Sequence, residues 1–147
     1  MKTGFTTIEL IVVLLLIGLL SAIIIMRLPP QAAYDLDAQK ESLLRDLRLT
    51  QVLAMSYNQP YQIVFGPMSY QIQNQNGTPY AHPVSGTITT LPSDVTLSST
   101  QGTVRFDNRG IPCNTSNNAL TSPVTLTLTA GEETKTLVIE PDTGFAS

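Results

Sequence analysis

Apolar positions are distributed very unevenly along this chain. From Leu10 to Met26 runs LIVVLLLIGLLSAIIIM, with no charge and no polar face. As a helix it is about 25 Å long, and Ile8, Leu28 and the flanking threonines extend it toward the ~30 Å of a hydrocarbon core. Such a stretch reads first as a membrane span. A cleaved secretory signal would need a small-residue site after the apolar region. Ser21-Ala22 is the one candidate, and it is followed by Ile23, Ile24 and Ile25. A buried core helix is a poor alternative, because a chain of 147 residues could hardly surround a helix that is apolar on every face.

Pro29-Pro30 then removes helical donors and clashes with the preceding turn, which predicts a hinge. Beyond it the period changes. Leu36, Leu43, Leu47 and Ala54, widened by Leu44 and Met55, form one stripe of a helix predicted over about Asp35 to Asn58, ended by Gln59-Pro60. Asp35, Glu41, Arg45 and Arg48 fall away from the centre of that stripe. Asp35 and Asp37 lie where capping and the helix dipole favour acids. A calcium reading of those two lacks further oxygen ligands, so no metal is expected.

From Tyr61 the period drops to two. Tyr61–Phe65 and Ser69–Gln73 flank Gly66-Pro67-Met68 as a hairpin, and residues 74–86 are a Gly-, Asn- and Pro-rich loop. Short strands are predicted near 87–91, 95–98 and 103–107. Val124–Thr129 alternates strictly, turns at Ala130-Gly131-Glu132-Glu133 and returns from Thr134 to Glu140. An amphipathic helix followed by antiparallel strands buries its stripe on one sheet face, which predicts an α+β body.

Composition narrows the chemistry. Charged residues make up 13% and the net charge is −3, so there is no overall pull toward phosphate backbones. The single cysteine, Cys113, cannot form a disulfide within the chain; it is either a buried small hydrophobe or pairs with another subunit. The single histidine, His82, sits in a Pro-flanked polar loop with no nucleophile motif and reads as a solvated loop residue. No enzyme activity, catalytic residue or cofactor is expected. Lys2 lies on one side of the span and Arg27 and Lys40 on the other, so basic residues do not orient it. The N-terminus is placed inside because only a few residues precede the span.

Glu9 stands at the head of the apolar run. A carboxylate well inside a bilayer costs roughly 2.5–3.5 kcal/mol on insertion scales and is usually paired and functional. At the edge it can instead mark a helix N-terminus, where negative charge is favoured. Its context, Gly4-Phe5-Thr6-Thr7-Ile8-Glu9-Leu10 after Met1-Lys2-Thr3, resembles the type IV prepilin signature at every position. The resemblance implies cleavage after Gly4 by a membrane aspartyl peptidase and N-methylation of Phe5. It also implies that Glu9 meets a Phe5 amine, four residues away on one helix face or on the next subunit in a fibre, which sets axial register.

Further along, Val104-Arg105-Phe106-Asp107-Asn108-Arg109-Gly110-Ile111-Pro112, the closing Pro141-Asp142-Thr143-Gly144 and the helix text Leu47–Met55 are similar to the H-type (GspH/FimT) minor pseudopilin class. They also resemble a minor pilin of mannose-sensitive haemagglutinin-type pili. Read from its residues alone, Phe106–Gly110 is a strand ending in an Asx-type turn. The resemblance implies a pilin-like α+β fold, with the hydrophobic half of a long N-terminal helix projecting and the other half packed on an antiparallel sheet. The expected divisions are a leader (1–4), a transmembrane and fibre-core helix (5–28), an amphipathic helix (29–58) and a β-sheet body (59–147). The implied role is a fibre subunit that initiates or caps assembly, in a pilus or in the pseudopilus of a type II secretion system. Implied partners are fellow pilins, met through the N-terminal helix, the prepilin peptidase, and an inner-membrane platform with its ATPase. The body is then periplasmic and tethered to the bacterial inner membrane. Some FimT-like pilins bind DNA through arginines near the C-terminal Gly; here Gly144 is followed by Phe145-Ala146-Ser147, and only Arg105, Arg109 and Lys135 could gather into a patch. The acidic balance opposes that role.

Overall fold

The computed structural model describes residues 6–25 and 31–147, with side chains from Thr6 to Leu19 and from Asp35 onward. The expected leader, Gly4, Phe5 and the Pro29-Pro30 hinge lie outside the described residues. The chain divides into two compact units, Met1–Pro30 and Gln31–Ser147.

The first unit carries α1 (Thr7–Ile25). The second opens with α2 (Gln31–Ser56), four residues ahead of the expected start, because Gln31, Ala32 and Ala33 are good helix formers. Asp35 and Asp37 therefore lie within the helix and do not cap it, contrary to the sequence reading. Asp37 instead receives Lys135 Nζ at 2.9 Å. The helix ends in a Schellman arrangement: Gln59 N–H donates to Ala54 O at 3.2 Å and Asn58 N–H to Met55 O at 3.3 Å, with Asn58 at φ 50°.

Leu36, Leu43, Leu47, Ala54 and Leu44 are buried as the stripe requires. Met55 is not; it is 45% exposed, and the buried arc widens on the other side, through Asp46, Thr50 and Leu53. Met55 lies at the edge of the stripe, with its Sδ beside the Gly110 turn. Thr50 is fully buried and satisfies its hydroxyl by donating to Asp46 O at 2.7 Å, one turn back.

The strands are β1 (Tyr61–Phe65), β2 (Ser69–Asn74), β3 (Thr89–Thr90), β4 (Val95–Ser99), β5 (Thr103–Phe106), β6 (Pro112–Cys113), β7 (Val124–Ala130) and β8 (Glu133–Ile139). They form two antiparallel sheets rather than the expected one, ordered β3-β2-β1-β5-β6 and β4-β7-β8. Alternation shows which residues face inward, but strand partners are set by non-local matching. The inward Val95 and Leu97 of β4 match the inward Leu126, Leu128 and Ala130 of β7, and that pairing draws β4 into the second sheet. A bond from Leu97 N–H to Pro67 O at 2.8 Å ties the two sheets together. α2 packs across β1 and β5 of one sheet and β7 and β8 of the other.

The β7–β8 turn falls on the predicted Ala130-Gly131-Glu132-Glu133. Ala130 pairs with Glu133, which leaves a two-residue loop with Gly131 at φ 60°, the first loop position where a II′ hairpin requires glycine. The outer edge of β8 is covered at its C-terminal end by the last residues of the chain: Val138 and Ser147 exchange backbone bonds at 3.1 and 3.2 Å, and Glu140 N–H donates to Phe145 O at 2.9 Å.

Candidate functional site

The first candidate is the surface of α1. Thr6 caps it: Leu10 N–H donates to Thr6 O at 3.2 Å, and Glu9 N–H approaches Thr6 Oγ1 at 3.4 Å. Glu9 thus occupies the third helical position, where the Thr-x-x-Glu capping pattern and the helix dipole both favour a carboxylate. Behind it every described side chain of α1 is exposed, from Ile8 at 72% to Val13 at 45%. An apolar surface of this extent is stable only when something other than water covers it. Among the described residues no helix is long and apolar enough to cross a membrane; the apolar run of the sequence continues past Leu19, where the side-chain description of α1 ends. Gly4 and Phe5, the expected cleavage and methylation positions, lie outside the described residues, so their relation to Glu9 is not part of this geometry.

The second candidate is where the C-terminal patterns meet α2. Gln51 Nε2 donates to Gly110 O at 2.8 Å and to Thr143 O at 3.0 Å. Both turns depend on glycine. Gly110 has φ 83° and Gly144 φ 68°, and a Cβ on Gly144 would stand 2.8 Å from Phe106 Cε1 and 3.2 Å from Gly110 O. The three sequence stretches that carry the H-type resemblance therefore meet in space, through Gln51 of the helix stretch, a side chain that periodicity alone did not single out.

Within the first stretch Asp107 forms the expected Asx turn, its Oδ1 accepting N–H bonds from Arg109 at 2.9 Å and Ile111 at 2.8 Å. Burial raises the pKa of this carboxyl, but the Ile111 and Arg109 backbone donors and the Arg109 guanidinium outweigh it and hold it below the usual value. Cys113 is buried and free, and desolvation, helped by the nearby Asp107 charge, pushes its thiol pKa up. That is the inert member of the two readings.

The three cations that could have gathered into a patch are each engaged separately. Arg105 holds Gln62 Oε1 at 2.9 and 3.1 Å, Thr115 O at 3.0 Å and Asn117 Oδ1 at 3.1 Å. Arg109 pairs with Asp107 at 3.1 Å. Lys135 is bound to Asp37, and that hydrogen bond raises its pKa. His82 is not the free loop residue predicted. Its ring is largely covered, with Nε2 3.7 Å from Asp46 Oδ1. The missed signal was Asp46 itself, an acid between Leu43 and Leu47 at the margin of the apolar stripe.

The family described as "Type II transport protein GspH" matches residues 39–143, most of the second unit. The chain belongs to the GspH family. Its fold is shared with two solved structures. The minor pseudopilin EpsH from the Type 2 Secretion System of Vibrio cholerae has 13% identity and a TM-score of 0.55 over 71% of this chain and 88% of that one. The type IV minor pilin FimU of Pseudomonas aeruginosa has 15% identity and a TM-score of 0.60 over 81% and 91%. Among curated proteins none matches the chain. The GspH-family match takes in α2 from Gln39 onward, both sheets and the junction at Gln51. This GspH-family chain is a subunit of the minor pilin and pseudopilin class.

Proposed function

We propose that this GspH-family subunit is made as a prepilin, cut between Gly4 and Phe5, methylated on Phe5, and inserted into a type IV pilus-like fibre, where it initiates or caps assembly. The supporting observation is α1: a Thr6-capped helix with Glu9 in its first turn and an otherwise apolar, uncovered surface. Before assembly, lipid covers that surface, as a single span with the body in the periplasm. In the fibre, neighbouring α1 helices cover it. The transfer exchanges one apolar environment for another, so it costs little hydrophobic free energy. Glu9 is what makes the exchange selective, because its charge needs a cation in the new environment, and the Phe5 amine of an adjacent subunit supplies one.

On this reading the chain relies on a prepilin peptidase, an inner-membrane platform and its ATPase, and its own role is structural rather than catalytic. The family's description favours a second form of the same role, as H-type pseudopilin of a type II secretion system. Deleting the chain then stops type II secretion and leaves surface pili intact. DNA uptake is the weakest alternative, given how Arg105, Arg109 and Lys135 are engaged.

Mass spectrometry of the native product, extracted from its membrane, tests the proposal. The expected N-terminus is Phe5 carrying one methyl group. A chain that begins at Met1, or one trimmed beyond Met26, overturns it.

A further inference from the structure

Between α2 and the loop after β2 lies a groove of about 400 Å³. Its charged centre is the Asp46 carboxylate, on a residue only 6% exposed. One oxygen, Oδ2, accepts the Tyr70 hydroxyl at 2.8 Å. Burial, reinforced by the Asp46 charge, drives the Tyr70 pKa far above its usual value, so Tyr70 is a permanent donor and Asp46 the acceptor. The other oxygen, Oδ1, is left without a full partner: His82 Nε2 stands at 3.7 Å, beyond the ~3.2 Å limit of a good hydrogen bond.

The loop holds His82 at that distance. Its Nδ1 accepts the N–H groups of Val84 at 3.2 Å and Ser85 at 3.4 Å, which leaves the ring proton on Nε2. His82 and Gly86 exchange both backbone bonds, at 2.7 and 3.0 Å, and close the loop with Val84 at its apex, 89% exposed. Val84 and Leu49 give the groove apolar walls. Arg45 also lines the groove; it is exposed and, among the described residues, has no acidic partner.

We propose that this groove receives a Lys or Arg side chain from a neighbouring polypeptide subunit. The cationic head takes Asp46 Oδ1, the methylene stem lies along Leu49 and Val84, and an acidic residue beside it on the same partner meets Arg45. A shielded carboxylate whose Oδ1 faces only the His82 ring at 3.7 Å gains a short charge-assisted bond from such a head, and apolar walls suit the stem of a long basic side chain. A bare metal ion suits the groove less well, since among the described residues no three ligating side chains converge. That the partner is a fellow fibre subunit rests on the assembly reading above; the preference of the groove for an organic cation does not.

The test uses the full-length, isotope-labelled chain in detergent micelles. N-acetyl-arginine methylamide is titrated against its uncharged isostere, N-acetyl-citrulline methylamide, while the backbone amides of Ser42, Val84 and Ser85 are followed by NMR. The arginine probe is expected to shift them saturably and to bind at least about tenfold more tightly than the citrulline probe. Asp46→Asn, which keeps an acceptor for Tyr70, is expected to reduce the arginine probe to the citrulline level. Equal binding of the two probes to the unsubstituted protein overturns the proposal whether or not the variant folds, as does the absence of any saturable shift. Undiminished arginine binding by a folded Asp46→Asn protein does the same. A native N-terminus at Met1 would sink the fibre reading and leave this titration untouched.

Discussion

At the scale of single residues, Asp107 is the best-defined electrostatic feature of the body. Its folded pKa lies below the ordinary value of a free carboxyl, so its charge contributes stability that is present above about pH 4 and lost as the pH falls through the folded pKa. The expected result is that Asp107→Asn melts below the unsubstituted protein at pH 7, and that the gap closes as the pH is lowered toward 3. Thermal unfolding followed by circular dichroism across that range measures it; a gap that widens in acid would contradict the assignment. The Asx turn was legible because Asp107, Arg109 and Ile111 are close neighbours in the chain. Gln51 was not, because its acceptors are 59 and 92 positions away and neither belongs to a regular pattern. His82 failed for the same reason. Its loop is local, but what covers its ring comes from α2.

At the scale of elements, α2 carries the join between the two sheets. Leu43 is fully buried in its stripe, and Leu43→Ala is expected to cost about 2–5 kcal/mol. Met55→Ala, at a position 45% exposed, should cost less than about 1 kcal/mol. Urea unfolding of the two variants checks the contrast, and equal losses would mean that the stripe has been wrongly centred. The period of α2 and the β7–β8 alternation could be read directly, because each is a repeat within one element. The division into two sheets could not. It depends on β4 choosing β7, a match between segments about thirty residues apart with similar inward faces. The β6 strand, two residues long with a proline in it, carries no periodic signal at all.

For the molecule as a whole, the question is how an apolar helix and a polar body serve a single assembly. On the proposed register, Glu9→Ala leaves cleavage at Gly4 intact and lowers incorporation about tenfold or more, if the pairing contributes at least the ~1.5 kcal/mol typical of a bond to a charged group. Immunoblots of sheared fibres against membrane fractions give the ratio. Normal incorporation of that variant removes Glu9 from the mechanism.

The C-terminal residues along β8 have a consequence of their own. A bare strand margin on a subunit crowded beside its neighbours at high local concentration invites sideways, amyloid-like stacking. By occupying the backbone groups of Val138 and Glu140 internally, Phe145 and Ser147 close that route at the C-terminal end of β8. In the proposed fibre, growth would then fall to the N-terminal helices, which favours lengthening over clumping.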